Sequence, residues 1–357
     1  MVPPRDGAGE ACVPKQLISA ALLGLILLVG LAVPARAADP ALIAAAEKEG
    51  SLVLYGCDPG QVPVYVEAFQ KKYPKVKLTS YVAGCWQIYN RNATERQAGR
   101  QTADAFFATE DTMSKLDEEH LLGDYRSPEL KDFPAYAQPA GKHYVRAKVL
   151  ILGMSANRQF TKGMPLPHDW FDFADPPPAW HGQISFYDPR TSSAAFSLLA
   201  ALHQDFGAEK TASIYKGLVA SGAALAPTTP AGLQRVLSGE QPIMFYIVNN
   251  HYSGAVAEGA PLDFLVPTSG TIALPFDIAD MANAPHPNAA HLFVDFMLSD
   301  VQTIIQHANE YALRNGSGAP KGMPDLNTIK ILPFDVNAAL QDQAKLLAWW
   351  QQVTGIN

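Results

Sequence analysis

The polar residues best suited to chemistry stand together just ahead of an alanine-rich stretch. They are Thr191, Ser192 and Ser193, which follow Asp188 and Arg190. Hydroxyl groups and free backbone N–H groups at a helix start favour an anion, and the helix dipole adds to this preference. Arg190 could contribute a bidentate contact to the same anion. Its alternative role is structural, as a bridge to Asp188 or to the carboxyl end of a helix. Ordinary N-capping, the alternative interpretation, explains one hydroxyl and leaves the others unused. The sequence therefore predicts an anion site at this helix start.

The N-terminal segment has the pattern of an export signal. Basic residues come first, residues 17–33 form an uncharged apolar run, and Ala35 and Ala37 supply the small residues that a signal peptidase requires. The run lies at the short limit for a membrane span, so an anchor is the weaker alternative. We expect residues 1–37 to be a signal peptide, cleaved after Ala37, and the mature protein to be periplasmic.

Two of the three cysteines, Cys57 and Cys85, follow this signal. In an oxidising compartment two such cysteines usually form a disulfide, and closing this loop would stabilise the fold by about 3–4 kcal/mol. The alternative is a free Cys57 thiol that pairs with His251 as a nucleophile in a secreted enzyme. The sequence contains no G-x-S-x-G, H-E-x-x-H, G-x-x-x-x-G-K or C-x-x-C motif, so the disulfide is the favoured interpretation.

The elements that must position these residues alternate between strand and helix. Apolar strands are expected at residues 52–55, 76–82 and 105–108, with a helix over residues 62–73. Such repeats indicate a parallel sheet covered by helices, and ligands bind beyond the carboxyl ends of its strands. This topology predicts a rim that holds Asp58, Trp86 and Glu110 and brings the two cysteines together. The later elements are expected at residues 148–155, 182–186, 193–206, 208–220 and 243–248.

Length and charge limit the class of protein. The chain has 357 residues, which at roughly 100–200 residues per domain favours two lobes. Its net charge of −7 argues against a nucleic-acid partner, because such proteins present a basic face. We expect a monomer.

Residues 284–290, followed by residues 293–299 and Gln302, resemble the closing helix of extracellular solute-binding proteins of ABC importers. The resemblance is to the branch that contains ferric-iron, phosphonate and sugar-phosphate binders. Further matches occur in the same order over nearly all of the mature chain, at residues 69–74, 103–107, 170–173, 188–190 and 239–240.

The resemblance implies a periplasmic binding protein-like II fold, in which two α/β lobes joined by two crossing strands close on a ligand. The crossings are expected near residues 149–155 and 268–274. The implied bounds are residues 38–150 for lobe 1, 151–270 for lobe 2, and 271–357 for the return to lobe 1 and the C-terminal helices. The function it implies is capture of a small solute and delivery to a permease in the inner membrane, without catalysis. A ligand-sensing partner of a membrane receptor would have the same sequence features.

The resemblance also bears on metal binding. In the ferric-iron binders two asparagines precede two adjacent tyrosines that bind iron, and here Asn249 and Asn250 precede His251 and Tyr252. Iron(III) prefers phenolate and carboxylate oxygen, and Glu110 lies near the family's carboxylate position. Ferric iron is therefore a possible ligand, no other cofactor is expected, and His251 as a hydrogen-bonded cleft residue is the alternative.

Together these observations predict one ligand held from two sides. The second lobe is expected to supply Arg190, Thr191, Ser192, Ser193, Asn249, His251 and Tyr252, and the first lobe Asp58, Trp86 and Glu110. Because carboxylates face the anion in this arrangement, the ligand is expected to carry an amine or a metal ion as well.

Overall fold

The computed structural model describes residues 39–227 and 229–357. The predicted signal peptide over residues 1–37, its cleavage point and Cys12 lie outside the described residues. Within the part that is described, none of the helices has both the length and the apolar character that crossing a bilayer demands.

Strands and helices alternate along the described chain. The strands are β1 (Ser51–Gly56), β2 (Lys77–Val82), β3 (Ala105–Thr109), β4 (Val145–Asn157), β5 (Ile184–Tyr187), β6 (Ala224–Ala226), β7 (Ile243–Val248), β8 (Leu262–Leu265), β9 (Ala273–Asp280) and β10 (Tyr311–Ala312). The α-helices are α1 (Pro40–Glu49), α2 (Val62–Lys72), α3 (Cys85–Gln97), α4 (Glu110–Glu118), α5 (Ser193–Phe206), α6 (Ala208–Ala220), α7 (Thr229–Ser238), α8 (Asn249–Ala257), α9 (Pro287–Leu298), α10 (Asp300–His307), α11 (Val336–Gln341) and α12 (Gln343–Thr354). The expected mixed α/β architecture is confirmed.

The strands form two groups, which we call the first and second strand groups. In the first, β1 lies between β2 and β3 and is parallel to both, and β9 runs antiparallel to β3. In the second, β5 lies between β6 and β7 and is parallel to both. Because parallel strands end on the same edge, the loops after β1, β2 and β3 share one rim.

Two extended segments connect the groups. The long strand β4 pairs with β9 up to Ile151 and with β7 from Leu152 onward. The second segment precedes β9, where the Thr271 hydroxyl donates a hydrogen bond to the Leu152 carbonyl at 2.6 Å and the Leu152 N–H donates to the Ile272 carbonyl at 3.3 Å. Both connections lie within the stretches that the sequence assigned to the crossings.

The C-terminal helices pack across the two groups. Helix α12 contacts α6, while α11 contacts both α4 and α5. Trp350 of α12 is fully buried and lies edge-on to Tyr215 at 6.2 Å. By contacts, residues 38–357 form one unit, so the residue bounds of the two lobes stay a prediction.

Candidate ligand-binding cleft

A cleft of about 320 Å³ lies between the two strand groups. One wall comes from the rim of the first group, the other from the loop and first turn of α5, and the C-terminal segment completes it. It is lined by Cys85, Trp86, Thr109, Glu110, Asp111, Pro189, Arg190, Thr191, Ser192, Ser193, Ala194, Phe196, Ser197, Ala273, Leu274, Pro275, Phe334, Val336, Leu340 and Gln343. We call residues 188–193, which precede and begin α5, the anion loop. The structure brings this loop, Trp86 and Glu110 together around the cleft.

Two of the three hydroxyls ahead of α5 are engaged within the protein. Ser192 is the N-cap of α5, and its Oγ accepts a hydrogen bond from the Ala195 N–H at 3.3 Å. The same Oγ lies 3.0 Å from the hydroxyl of buried Tyr246. Thr191 donates its hydroxyl proton to the Pro227 carbonyl at 3.0 Å. These contacts fix the loop and aim the helix start at the cleft.

The next residue, Ser193, supplies the free polar groups. Its side chain is exposed on the cleft wall, and its hydroxyl has no partner among the described residues. As the first two residues of the helix, Ser193 and Ala194 have backbone N–H groups with no carbonyl acceptor within the helix. No acidic residue occupies this first turn. The start of α5 therefore offers one hydroxyl and two amide donors to a bound group.

A second helix, α3, also starts at the cleft. Its N-cap is Gly84, whose N–H donates a hydrogen bond to the Gln87 side chain at 3.0 Å, and Cys85 and Trp86 are its first two residues. The predicted disulfide is present, with the Cα atoms of Cys57 and Cys85 4.7 Å apart. It ties the start of α3 to the end of β1 and leaves Cys57 no free thiol.

A third helix start, that of α4, is already neutralised by its own side chains. Glu110 and Asp111 occupy its first turn, where carboxylates compensate the helix dipole. Glu110 also accepts a hydrogen bond from Arg146 at 2.5 Å, and Asp111 accepts one from the Thr109 hydroxyl. On this wall Glu110 is thus paired with a cation, and Asp111 is hydrogen-bonded to a neutral hydroxyl.

Arg190 lines the cleft, but its guanidinium is committed to Asp188. Arg190 Nε lies 2.9 and 3.0 Å from the two carboxylate oxygens, and Nη2 lies 2.6 Å from Oδ2. Burial would raise the pKa of Asp188, but the hydrogen bonds from Arg190 lower it below its ordinary value. The guanidinium also lies over Trp350 at 5.4 Å. The arginine therefore joins the anion loop to α12.

The cleft lining does not include Asp58, Asn249, His251 or Tyr252. Asp58 instead accepts a hydrogen bond from Lys148 at 2.6 Å, and Lys148 also donates to Glu310 at 2.5 Å. The Lys148 side chain is 0% exposed and that of Glu310 is 2% exposed. We call these three residues the buried charge cluster. It joins the loop after β1 to β4 and to the residue before β10.

Asn249 acts at a strand crossing. Its side chain is fully buried, and its Oδ1 accepts a hydrogen bond from the Ile151 N–H at 2.9 Å. Ile151 is the residue at which β4 leaves β9, so the asparagine satisfies a backbone donor at this transition. The sequence analysis expected Asn249 to contact the ligand, but in the structure its side-chain oxygen contacts the backbone of β4 instead.

His251 and Tyr252 lie on α8 and face different surroundings. Desolvation by the surrounding protein lowers the pKa of His251, against the opposing charge of Asp58. Tyr252 is buried against Phe264, with ring centroids 5.3 Å apart, and this burial raises its pKa. Within residues 39–227 and 229–357, no three His, Cys, Asp or Glu side chains form a group that could hold a metal ion. Of the expected iron ligands, only Glu110 lines the cleft.

Behind the acidic wall lies a carboxyl group that the sequence did not single out. Asp277 of β9 is fully buried, and neither carboxylate oxygen has a hydrogen-bond partner among the residues that the structure describes. Burial raises its pKa well above the ordinary value, Glu110 and Asp111 add to the shift, and Arg146 opposes it. The Asp277 carboxyl is therefore harder to ionise in the folded protein than in the unfolded chain.

This gives a pH-dependent prediction for Asp277→Asn. A group whose folded pKa is raised contributes stability at low pH and loses it as pH rises through that pKa. The neutral variant should therefore gain stability relative to the parent between pH 5 and pH 8, by up to about 1.4 kcal/mol per pH unit. Urea unfolding of both proteins at the two pH values measures the difference. Equal stability differences at both pH values would contradict a raised pKa for Asp277.

The sequence interpretation missed the C-terminal wall of the cleft, formed by Phe334, Val336, Leu340 and Gln343. A signal for it existed. Asp335 is an N-cap residue, and Val336 and Leu340 follow at the spacing of one helix face. The spacing predicts a helix with one apolar face, but it does not show that this face lines the cleft.

Residues 101–337 match the model of the bacterial extracellular solute-binding protein family, so the chain belongs to this family. Membership implies a small solute as ligand and an ABC permease as membrane partner, and the homologues are binding proteins, not enzymes. A curated relative, an uncharacterized protein of Haemophilus influenzae, is 25% identical over 341 residues, which cover 89% of this chain and 94% of the relative.

Solved structures share the fold. The periplasmic binding protein P5PA is 22% identical with a TM-score of 0.69, over 85% of this chain and 99% of its own. AfuA from Actinobacillus pleuropneumoniae, solved with fructose-6-phosphate, is 23% identical with a TM-score of 0.70, over 86% of this chain and 99% of its own. Iron-bound HitA from Pseudomonas aeruginosa is 20% identical with a TM-score of 0.71, over 85% of this chain and 99% of its own. The chain therefore has the two-lobe fold of periplasmic binding proteins.

Proposed function

We propose that the mature protein is a periplasmic component of an ABC importer that captures a small anionic solute in this cleft. The observation that carries the proposal is the meeting of two uncompensated helix starts. Helices α3 and α5 both begin on the cleft wall, and neither has an acidic residue in its first turn. Each start presents free N–H groups and the positive end of a helix dipole, which together favour an anion.

The pairing of the other charged groups supports a simple anion. Glu110, on the same wall as the start of α3, is paired with Arg146, and its neighbour Asp111 accepts a hydrogen bond from the neutral Thr109 hydroxyl. Asp58 is neutralised by Lys148 away from the cleft. The two carboxylates from which an amine or metal was expected, Asp58 and Glu110, are thus both paired with cations, and we propose an anion without an added amine or metal. Ferric iron is a weaker candidate, since Tyr252 is packed against Phe264.

The substitution Ser193→Asp tests the proposal at the helix start. A carboxylate at the first position of α5 compensates the helix dipole, so we expect stability to be unchanged or raised by about 0.3–1 kcal/mol. The same charge should repel a bound anion and remove a hydroxyl donor. We expect the affinity for inorganic phosphate and for simple phosphate esters to fall at least about tenfold, or about 1.4 kcal/mol. Calorimetric titration measures affinity, and thermal unfolding measures stability.

The matched control is Ala208→Asp, which adds the same charge at the exposed first residue of α6, away from the cleft lining. It should leave phosphate affinity unchanged. Equal affinities in the parent and in Ser193→Asp would contradict the site. Failure of phosphates, phosphonates and carboxylates alike to bind the parent protein would contradict the function.

Delivery follows from the same arrangement. The ligand would contact α3 in the first strand group and α5 in the second, so binding favours the state in which both are close. A permease could recognise that closed state. We propose export by the predicted signal, cleavage after Ala37 and action as a monomer. A role as the sensing partner of a membrane receptor would use the same cleft. Uptake of the solute by a strain that lacks this protein distinguishes the two roles, because uptake should fall if the protein serves an importer and stay unchanged if it serves a receptor.

A further inference from the structure

We infer that the C-terminal segment, residues 334–343, is part of the ligand site and selects organic anions whose non-ionic part is apolar. The inference rests on the proposed function and names the class of solute. The family match ends at residue 337, so Leu340 and Gln343 lie beyond it. Phe334 and Val336 lie within it.

The segment presents apolar side chains to the cleft. Phe334, Val336 and Leu340 line the cleft and are only partly buried. Leu274 and Pro275 continue the same lining from β9, and the 40% exposed Trp86 borders it from α3. Half-exposed apolar surface inside a cleft gains free energy when a ligand's apolar part displaces the water from it.

The segment is held firmly in this position. The side-chain amide of Gln204, on α5, donates to the Asp335 carbonyl at 2.9 Å and accepts from the Asp335 N–H at 3.0 Å. Asp335 in turn caps α11 by accepting a hydrogen bond from the Ala338 N–H at 2.9 Å. Because α11 also contacts α4, it spans from one strand group to the other beside the cleft. An anchored apolar wall of this kind gives selectivity without a large ordering cost on binding.

The shape of the site divides the ligand into two parts. The anionic group belongs at the starts of α3 and α5, and the remaining part extends along the apolar wall. Hydroxyl groups placed on that wall would lose their water without gaining a partner, which opposes binding of a polyol. The only amide side chain of the segment in the lining is Gln343, at its end.

Two probes with one carbon skeleton test the preference. n-Propyl phosphate and glycerol 1-phosphate share the phosphate group and three carbons but differ in two hydroxyls. We expect the propyl ester to bind the parent protein about tenfold more tightly than the glycerol ester, and more tightly than inorganic phosphate. Calorimetric titration of the mature protein gives the three dissociation constants.

The variant Leu340→Asn tests whether the wall is responsible. It should weaken n-propyl phosphate about tenfold and change inorganic phosphate less than about twofold, because phosphate alone does not reach the wall. The unchanged phosphate affinity also shows that the variant is folded. Leu347→Asn is the matched control, since Leu347 is also partly buried on the C-terminal helices but is not in the lining, and it should change neither affinity.

The outcomes separate this inference from the proposed function. Equal or tighter binding of glycerol 1-phosphate, with phosphate still bound, would overturn the apolar preference and leave the anion site intact. An equal loss for both ligands in Leu340→Asn would also overturn it. Absence of binding by phosphate and both esters in the parent protein, with phosphonates and carboxylates failing as well, would overturn the proposed function itself.

Discussion

Replacing Lys148 by methionine should destabilise the protein by about 3–5 kcal/mol, because it leaves two carboxylates without their buried partner. Burial lowers the pKa of this lysine, but the facing oxygens of Tyr65, Glu310 and Asp58 outweigh burial and raise it. The ammonium group is therefore charged in the folded protein and neutralises its surroundings. Equilibrium unfolding in urea at pH 7 measures the loss.

The pH dependence of the Lys148→Met variant supplies an internal test. Burial raises the pKa of Glu310, and Lys148 holds the shift back. Without the lysine the folded pKa should rise further, so the neutral acid becomes the favoured form. A raised folded pKa adds stability below it and removes stability above it. The deficit of the variant should thus shrink as the pH falls from 7 to 5.

A surface lysine provides the comparison. Lys75 pairs with Glu47 at 2.8 Å, but its side chain is 72% exposed. Exposed pairs contribute about 0–1 kcal/mol, so Lys75→Met should change stability little at any pH in this range. A loss in Lys148→Met no greater than that in Lys75→Met would contradict a structural role for the buried charge cluster.

Opening the disulfide should have the second large effect. The bond closes a loop between Cys57 and Cys85, which are 28 positions apart in the sequence. On the chain-entropy estimate its loss costs about 3–4 kcal/mol. The double variant Cys57→Ala/Cys85→Ala should therefore unfold at clearly lower urea concentration than the oxidised parent. Because Cys85 begins α3, phosphate affinity should also fall.

Reduction provides the control for this prediction. The parent protein treated with a reducing agent should approach the stability of the double variant, while the same agent should leave the double variant unchanged. Intact-mass measurement without reduction should find the oxidised parent two hydrogen masses lighter than the reduced protein. Equal stability of the oxidised parent and the double variant would contradict the stabilising role.

The elements near the predicted rim could be found from the sequence because their patterns are local. Helices α5 and α6 and strand β7 have the bounds that the sequence predicted, residues 193–206, 208–220 and 243–248. The disulfide followed from two cysteines placed after parallel strands. The sequence also identified one residue at each of the two helix starts that line the cleft, Trp86 at α3 and Ser192 at α5. Local patterns of this kind carry element type and strand direction.

The partners of individual charged side chains could not be predicted from such local patterns. Asp58 was expected at the ligand, but the structure pairs it with Lys148. For Arg190 the sequence left open a contact to the ligand or a bridge to Asp188, and the structure shows the bridge. The Lys148 contact joins residues 90 apart in sequence, and spacing gives no information about it. Asp277 and the C-terminal wall were missed for the same reason. Which polar group is free for a ligand depends on long-range packing.

The central claim is that an anion binds between the starts of α3 and α5. A crystal structure of the mature protein grown with n-propyl phosphate tests it most directly. We predict that phosphate oxygens lie about 2.7–3.2 Å from the N–H groups of Ser193 and Ala194, with the propyl chain against Leu340. A phosphate bound elsewhere, with the cleft filled only by water at saturating ligand, would contradict it.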